Sequence, residues 1–142
     1  METITQTTKV LYTAKTHTTG GRQHGVSRSS DGHLDIKLST PGTDGLGTNP
    51  EQLFAAGWSA CFEGALDIAA RKKRIGLPND TAIDAEVDLC SGTDGFSLQA
   101  RLNVSIPGID REIAQQLVEE AYNTCPYSKA IRGNVKVEYN LV

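Results

Sequence analysis

Two cysteines, an arginine and a glutamate are the residues here whose types and spacing could do chemistry. Cys61 lies in an apolar, helix-like run from Thr48 to Phe62, and Cys125 opens a second short motif that ends at Asn134. A thiol on an apolar helical face is ordinarily inert, because desolvation disfavours the thiolate and raises its pKa. If it is to react, a cation must hold the negative charge. Arg22, set in Gly20-Gly21-Arg22-Gln23-His24-Gly25, is the candidate. A buried guanidinium would itself need a carboxylate, and Glu51 is available. One embedded thiol, one arginine and a second thiol are the parts of thiol-based peroxide chemistry.

Each residue also has a plain packing role, and both readings stay open. Cys61 has Phe54, Gly57, Trp58, Gly64, Ala65 and Ile68 as helical neighbours, which suits a core cysteine. Arg22 could be a solvated loop residue. Glu51 could simply favour the first turn of its helix. Glu51 and Cys61 are ten residues apart, about 15 Å along one helix at roughly 1.5 Å per residue. They meet at one guanidinium only if their side chains lean together or a two-fold partner supplies one of them. Cys125 precedes Pro126 and could cap a helical turn, which would depress its pKa and make it the attacking thiol instead. Cys90 follows Asp88 on the polar face of a strand and reads as incidental. His17, His24 and His33 lack metal-ligand spacing, so no metal and no other cofactor is expected.

The elements that must position these residues can be read from periodicity. Residues 9–18 read as a first strand, and residues 22–29 and 33–39 as a hairpin around Ser30-Asp31-Gly32. Residues 40–47 are a loop. Asn49 and Pro50 start a long helix that runs to about Arg74, where Gly76 stops it. Residues 81–91 alternate, and Thr93-Asp94-Gly95 turns the chain into a strand from Phe96 to Ile106. Asp110 to Asn123 is a second amphipathic helix. Residues 126–132 add a short helical turn, and Val135 to Val142 a closing strand. The expected class is α+β: an antiparallel sheet of about six strands, a long central helix and a second amphipathic helix.

Composition bounds the rest. With 142 residues, 38% apolar and 22% charged, residues 1–142 are expected to form one globular domain. The net charge of -3 and the scattered basic residues argue against nucleic acid and membrane surfaces. Residues 1–8 lack the pattern of a targeting signal, and three cysteines do not make a disulfide scaffold. A reducing cytoplasm is the expected compartment.

At Gly20-Gly21-Arg22, Leu34 to Ser39, Thr48 to Gly57, Ala60-Cys61-Phe62, Cys125-Pro126-Tyr127-Ser128 and Arg132-Gly133-Asn134 the chain resembles the organic hydroperoxide resistance proteins of the Ohr/OsmC superfamily. The pieces recur in order over nearly the whole sequence. The resemblance implies a thiol-dependent peroxidase that turns organic hydroperoxides into alcohols. It implies Cys61 as the peroxidatic thiol, Cys125 as the resolving thiol and Arg22 with Glu51 as the activating pair. It further implies an intertwined homodimer, re-reduced by a dithiol on a lipoylated protein. Leu53, Phe54, Trp58, Phe62, Tyr127 and Ile131 would then supply an apolar pocket suited to an alkyl tail. Trp58 and Ser59 stand where that family often has tyrosine and alanine.

Overall fold

The alternating residues of Ala82–Gly92 (β4) and Gly95–Ser105 (β5) pair as a long antiparallel hairpin in the computed structural model of the chain, which describes residues 8–142. The expectation about a targeting signal rests on residues 1–8, of which residues 1–7 lie outside the described residues. The chain divides into two units, Met1–Asn49 and Pro50–Val142.

In the second unit, β5 turns Ala100, Leu102 and Val104 inward, and all three are buried. The opposite face is polar. Arg101 grips both oxygens of Asp88 at 2.8 and 2.9 Å and donates to Glu86 at 3.3 Å. These bonds hold the Asp88 carboxyl down at about 2, with the Arg101 contact as the largest cause. Such a solvated pair fixes cross-strand register more than it adds stability.

Helix α2 (Pro50–Lys72) lies against the apolar side. Trp58, Phe62, Ala65, Leu66, Ala69 and Ala70 recur at helical spacing, are buried and join the same core as the β5 residues. Each fully buried large side chain among them stabilises the unit by roughly 1.5–3 kcal/mol. Pro50 takes the first helical position, as expected. The expected stop at Gly76 gives way to a stop at Arg74, which adopts the left-handed conformation at φ 58°. The amide of Arg74 donates to Arg71 and that of Ile75 to Ala70, at 3.0 and 2.9 Å, the bond pattern usually closed by glycine. Ile75 packs on the core, which offsets the cost of a non-glycine residue there.

Helix α3 (Arg111–Thr124) starts at Asp110, whose carboxylate accepts from the Ile113 amide at 3.3 Å. It buries Ala114, Leu117, Val118 and Ala121. The short helix α4 (Pro126–Ile131) follows, then β6 (Lys136–Leu141). Here the expectation of one antiparallel sheet is corrected. Among the described residues there are six strands, but in two three-stranded sheets, and β6 joins β5 in parallel. The connection allows it: α3 and α4 stand between the two strands and supply the long crossover that a parallel pair requires.

The first unit holds β1 (Thr16–Thr19), α1 (Gly21–His24), β2 (Val26–Ser29) and β3 (Asp35–Lys37). The expected turn is present: Asp31 accepts from the Ser29 hydroxyl and the His33 amide at 2.6 and 3.0 Å. The first strand is shorter than expected, because its partner β2 is only four residues long. Residues 22–24, expected in a strand, form a helical turn. Gly20 and Gly21 take positive φ, and the Gly25 amide closes the turn on the Gly21 carbonyl at 2.8 Å. A Cβ on Gly25 would collide with the carbonyls of Gly21 and Thr19, so the turn that presents Arg22 requires glycine there. Among the described residues no helix is long and apolar enough to cross a membrane.

Candidate active site

The sequence Cys125-Pro126 builds one side of the site. Proline disfavours helical geometry in the residue before it, and Cys125 sits at φ −60°, ψ 121°, between two helices. Its amide ends α3 by donating to Ala121 at 2.8 Å, and its carbonyl starts α4 by accepting from Lys129 at 2.9 Å. The backbone of Cys125 is therefore held from both directions. Its side chain makes no capping bond to α4. The thiol points instead to Cys61.

Cys125 is fully buried and Cys61 half-buried, and the two sulfurs are 3.6 Å apart, with Cys125 Sγ donating to Cys61 Sγ. Both are free thiols. Residues 64 positions apart in sequence thus lie at sulfur–sulfur contact. Burial pushes the Cys61 thiol up from its ordinary value. The Tyr127 amide opposes this by donating to the sulfur, while the neighbouring Cys125 adds to the rise. Pro126 has no N–H, so the Tyr127 amide is the first one α4 can offer.

Aromatic side chains surround the pair. The Tyr127 ring lies over Gly57, where a Cβ would stand 3.0 Å from its hydroxyl. Its edge meets Phe54 at 6.3 Å, and Phe54 meets Trp58 at 5.9 Å. The space beside Gly57 is thus occupied by a ring of its own chain. Trp58 and Phe62 are fully buried, Leu53 and Ile131 are half-buried, and Tyr127 keeps 41% of its surface exposed. Behind them stands Tyr139 of β6, packed on Phe62, Trp58 and Tyr122 at 5.8, 6.2 and 5.0 Å.

Of the site residues read from sequence, the structure brings together Cys61, Cys125, Phe54, Trp58 and Tyr127. Phe62 lies one layer deeper, against Tyr139. Glu51 is the acid in the first turn of α2, and Arg22 belongs to α1 in the first unit, on the chain surface. Cys90 is half-buried on β4. No three His, Cys, Asp or Glu side chains gather as metal ligands among the described residues.

Sequence reasoning missed Ser128 and Tyr139. Ser128 is 1% exposed and accepts from Trp58 Nε1 and from the Tyr139 hydroxyl, each at 3.1 Å. Ser128 was visible inside the second cysteine motif. Tyr139 was visible only as an inward position of an alternating strand.

Comparison with known proteins shows the family. The family model described as OsmC-like protein matches residues 41–140. An organic hydroperoxide resistance protein of Xanthomonas axonopodis pv. citri (strain 306) is 47% identical over 137 residues, covering 94% of this chain and 96% of that protein. The organic hydroperoxide resistance protein OhrB of Bacillus subtilis (strain 168) is 45% identical over 136 residues, covering 92% and 98%. The crystal structure of Bacillus subtilis OhrB superposes with a TM-score of 0.87 at 44% identity, covering 94% of this chain and all of that one. With its family model, its relatives and its fold in agreement, the chain belongs to the OsmC-like family, among the organic hydroperoxide resistance proteins.

Proposed function

We propose that residues 1–142 act as one thiol-dependent peroxidase domain that reduces organic hydroperoxides to alcohols. The observation that carries the reading is the 3.6 Å contact between the Cys61 and Cys125 sulfurs. The names of relatives with 47% and 45% identity support organic hydroperoxides as the substrate class.

The Cys61 thiolate attacks the terminal peroxide oxygen. The O–O bond breaks, the alkoxide leaves and takes a proton as the alcohol, and Cys61 becomes a sulfenic acid. Cys125 then attacks that sulfur. The S–O bond breaks, a disulfide forms and water leaves. An external dithiol, supplied by a lipoylated protein, restores both thiols by exchange. Because burial raises the Cys61 thiol, a cation must hold the thiolate. Arg22 has that role, oriented by Glu51. Leu53, Phe54, Trp58, Phe62, Tyr127 and Ile131 receive the organic tail, with Tyr127 nearest solvent. The protein works in the cytoplasm and needs no bound cofactor.

The working form is a homodimer with Cys61 near the interface. Ala56, Ala60, Gly64 and Ile68 form an exposed line along α2, and Ile68 keeps 56% of its surface. The inner face of the β4–β5 hairpin runs past the core to Leu89 and Phe96, which are 48% and 79% exposed. Apolar surface of this kind is ordinarily covered, and two-fold pairing is the commonest cover. Sedimentation at micromolar concentration is expected to give a dimer. A fully active monomer would refute that arrangement and leave the thiol chemistry standing.

The test of function is steady-state consumption of cumene hydroperoxide with dihydrolipoamide, set against hydrogen peroxide and against glutathione. Turnover that favours the organic peroxide and the dithiol is expected. A disulfide that forms without turnover would instead mark a non-catalytic redox sensor, and two inert thiols a small-ligand binding module.

A further inference from the structure

We propose that Ser128 is the positioning residue for disulfide formation, holding α4 and with it Cys125 against the Cys61 helix; this rests on the thiol peroxidase reading above. Only two polar side chains are buried among the described residues, and Ser27, the other, lies in the first unit. A buried hydroxyl is kept where its hydrogen bonds are made. Ser128 accepts two, and the donors come from different elements: Trp58 from α2 and Tyr139 from β6.

The placement of these bonds connects them to the thiols. Trp58 precedes Cys61 by three residues on α2, and Ser128 follows Cys125 by three residues into α4. The Trp58–Ser128 bond of 3.1 Å and the Cys61–Cys125 contact of 3.6 Å therefore join the same two segments, about one helical turn apart. The indole N–H can only donate, so the serine oxygen has no substitute in a methyl group. Tyr139 adds a third tie from the sheet. α4 is only six residues long, too short to hold its own place without such ties.

Resolution is the step that needs this frame. The sulfurs must close from 3.6 Å to about 2.05 Å, in line with the departing sulfenic hydroxyl. The S–O bond breaks, the S–S bond forms, and the hydroxyl leaves as water with the Cys125 proton. Neither sulfur touches Ser128. It sets how often Cys125 stands in line, an effect of proximity and orientation. Peroxide attack occurs on Cys61 and needs no in-line Cys125; from α4 it draws only the Tyr127 amide bond to the Cys61 sulfur, which the start of the helix supplies.

The test is a single turnover of the full chain with one equivalent of cumene hydroperoxide. Samples are quenched and weighed for sulfenic acid, trapped with dimedone, and for disulfide. In Ser128→Ala, loss of the Cys61 thiol should stay within about twofold of the unmodified protein. Disulfide formation should slow at least about tenfold, with sulfinic acid appearing at lower peroxide doses. Tyr139→Phe keeps the ring, removes one of the two bonds and should slow the second step by a smaller factor. It carries the test if Ser128→Ala does not fold. A second arm needs no peroxide. An aromatic disulfide reagent, 5,5′-dithiobis(2-nitrobenzoate), is attached to Cys61, and Cys125 expels the second aryl thiol as the protein disulfide forms. That release should slow in the same order. Disulfide formation at the unmodified rate in both variants, or equal slowing of attack and resolution, would overturn the proposal. If the unmodified protein consumes no hydroperoxide, the functional reading fails, and the aryl thiol arm still decides the role of Ser128.

Discussion

Cys61→Ser is expected to abolish hydroperoxide turnover, whereas Cys125→Ser should consume about one equivalent and then stall. A serine hydroxyl is almost wholly protonated at neutral pH and is a far weaker nucleophile than a thiolate. At Cys125 the same exchange leaves attack intact and removes the partner at 3.6 Å. The Cys61 sulfenic acid then persists and goes on to the irreversible sulfinic acid when more peroxide is added. Stopped-time peroxide measurement with mass analysis of the protein separates these outcomes. Normal turnover in Cys61→Ser, together with a Cys125→Ser variant that cannot react once, would reverse the assignment of the two thiols.

The second large effect is expected at Arg22. Burial and Cys125 raise the Cys61 thiol, and the Tyr127 amide only partly offsets them. An ordinary thiol near pKa 8.5 is only about 3% ionised at pH 7, and a raised one less. If Arg22 keeps Cys61 as thiolate, Arg22→Ala should slow attack by more than about 30-fold at pH 7. The sign of the pH dependence follows. Below the thiol pKa the thiolate fraction of the variant grows with pH, so its rate should climb about tenfold per unit, while the unmodified protein stays nearly flat. Arg22→Lys should recover only part of the rate, because an ammonium lacks the planar fork that can face a sulfur and a carboxylate together. Single-turnover rates across pH 6 to about 9, with thiolate absorbance, read both effects. An unchanged thiolate titration in Arg22→Ala would remove Arg22 from this role.

Much of the second unit was legible because its residues carry their own period. Trp58, Phe62 and Leu66 announce the buried face of α2, and Ile83 to Leu89 announce an inner strand face. Asp110 and Pro126 mark two helix starts by side-chain chemistry alone. What stayed hidden depends on partners remote in sequence. The parallel union of β5 and β6 has no local mark, since β6 alternates like any strand. Arg74 replaces glycine because Ile75 reaches the core, a fact of packing. The turn around Arg22 looked like strand because its glycines also suit a loop. At the site, the two cysteines were legible as types, and their pairing across 64 positions came from the family resemblance, since nothing in their spacing marks it. The Trp58–Ser128 bond spans 70 positions, and serine in a short motif carries no sign of the donors that will reach it.

The position of β6 in the sheet also bears on how this protein is made. The ribosome delivers Cys61 well before Tyr139, whose ring backs Trp58 and Phe62. Parallel pairing to β5 cannot occur until α3 and α4 have been laid down between the strands. Contacts of such wide separation form late and slowly. A growing chain therefore carries Cys61 on a helix whose aromatic backing has not yet arrived, with Cys125 still to be synthesised or unplaced. Oxidation of Cys61 in that interval would meet no resolving partner. On the proposed mechanism, a Cys61 sulfenic acid formed on a nascent chain has no disulfide to fall back on, and further peroxide would carry it to the sulfinic acid.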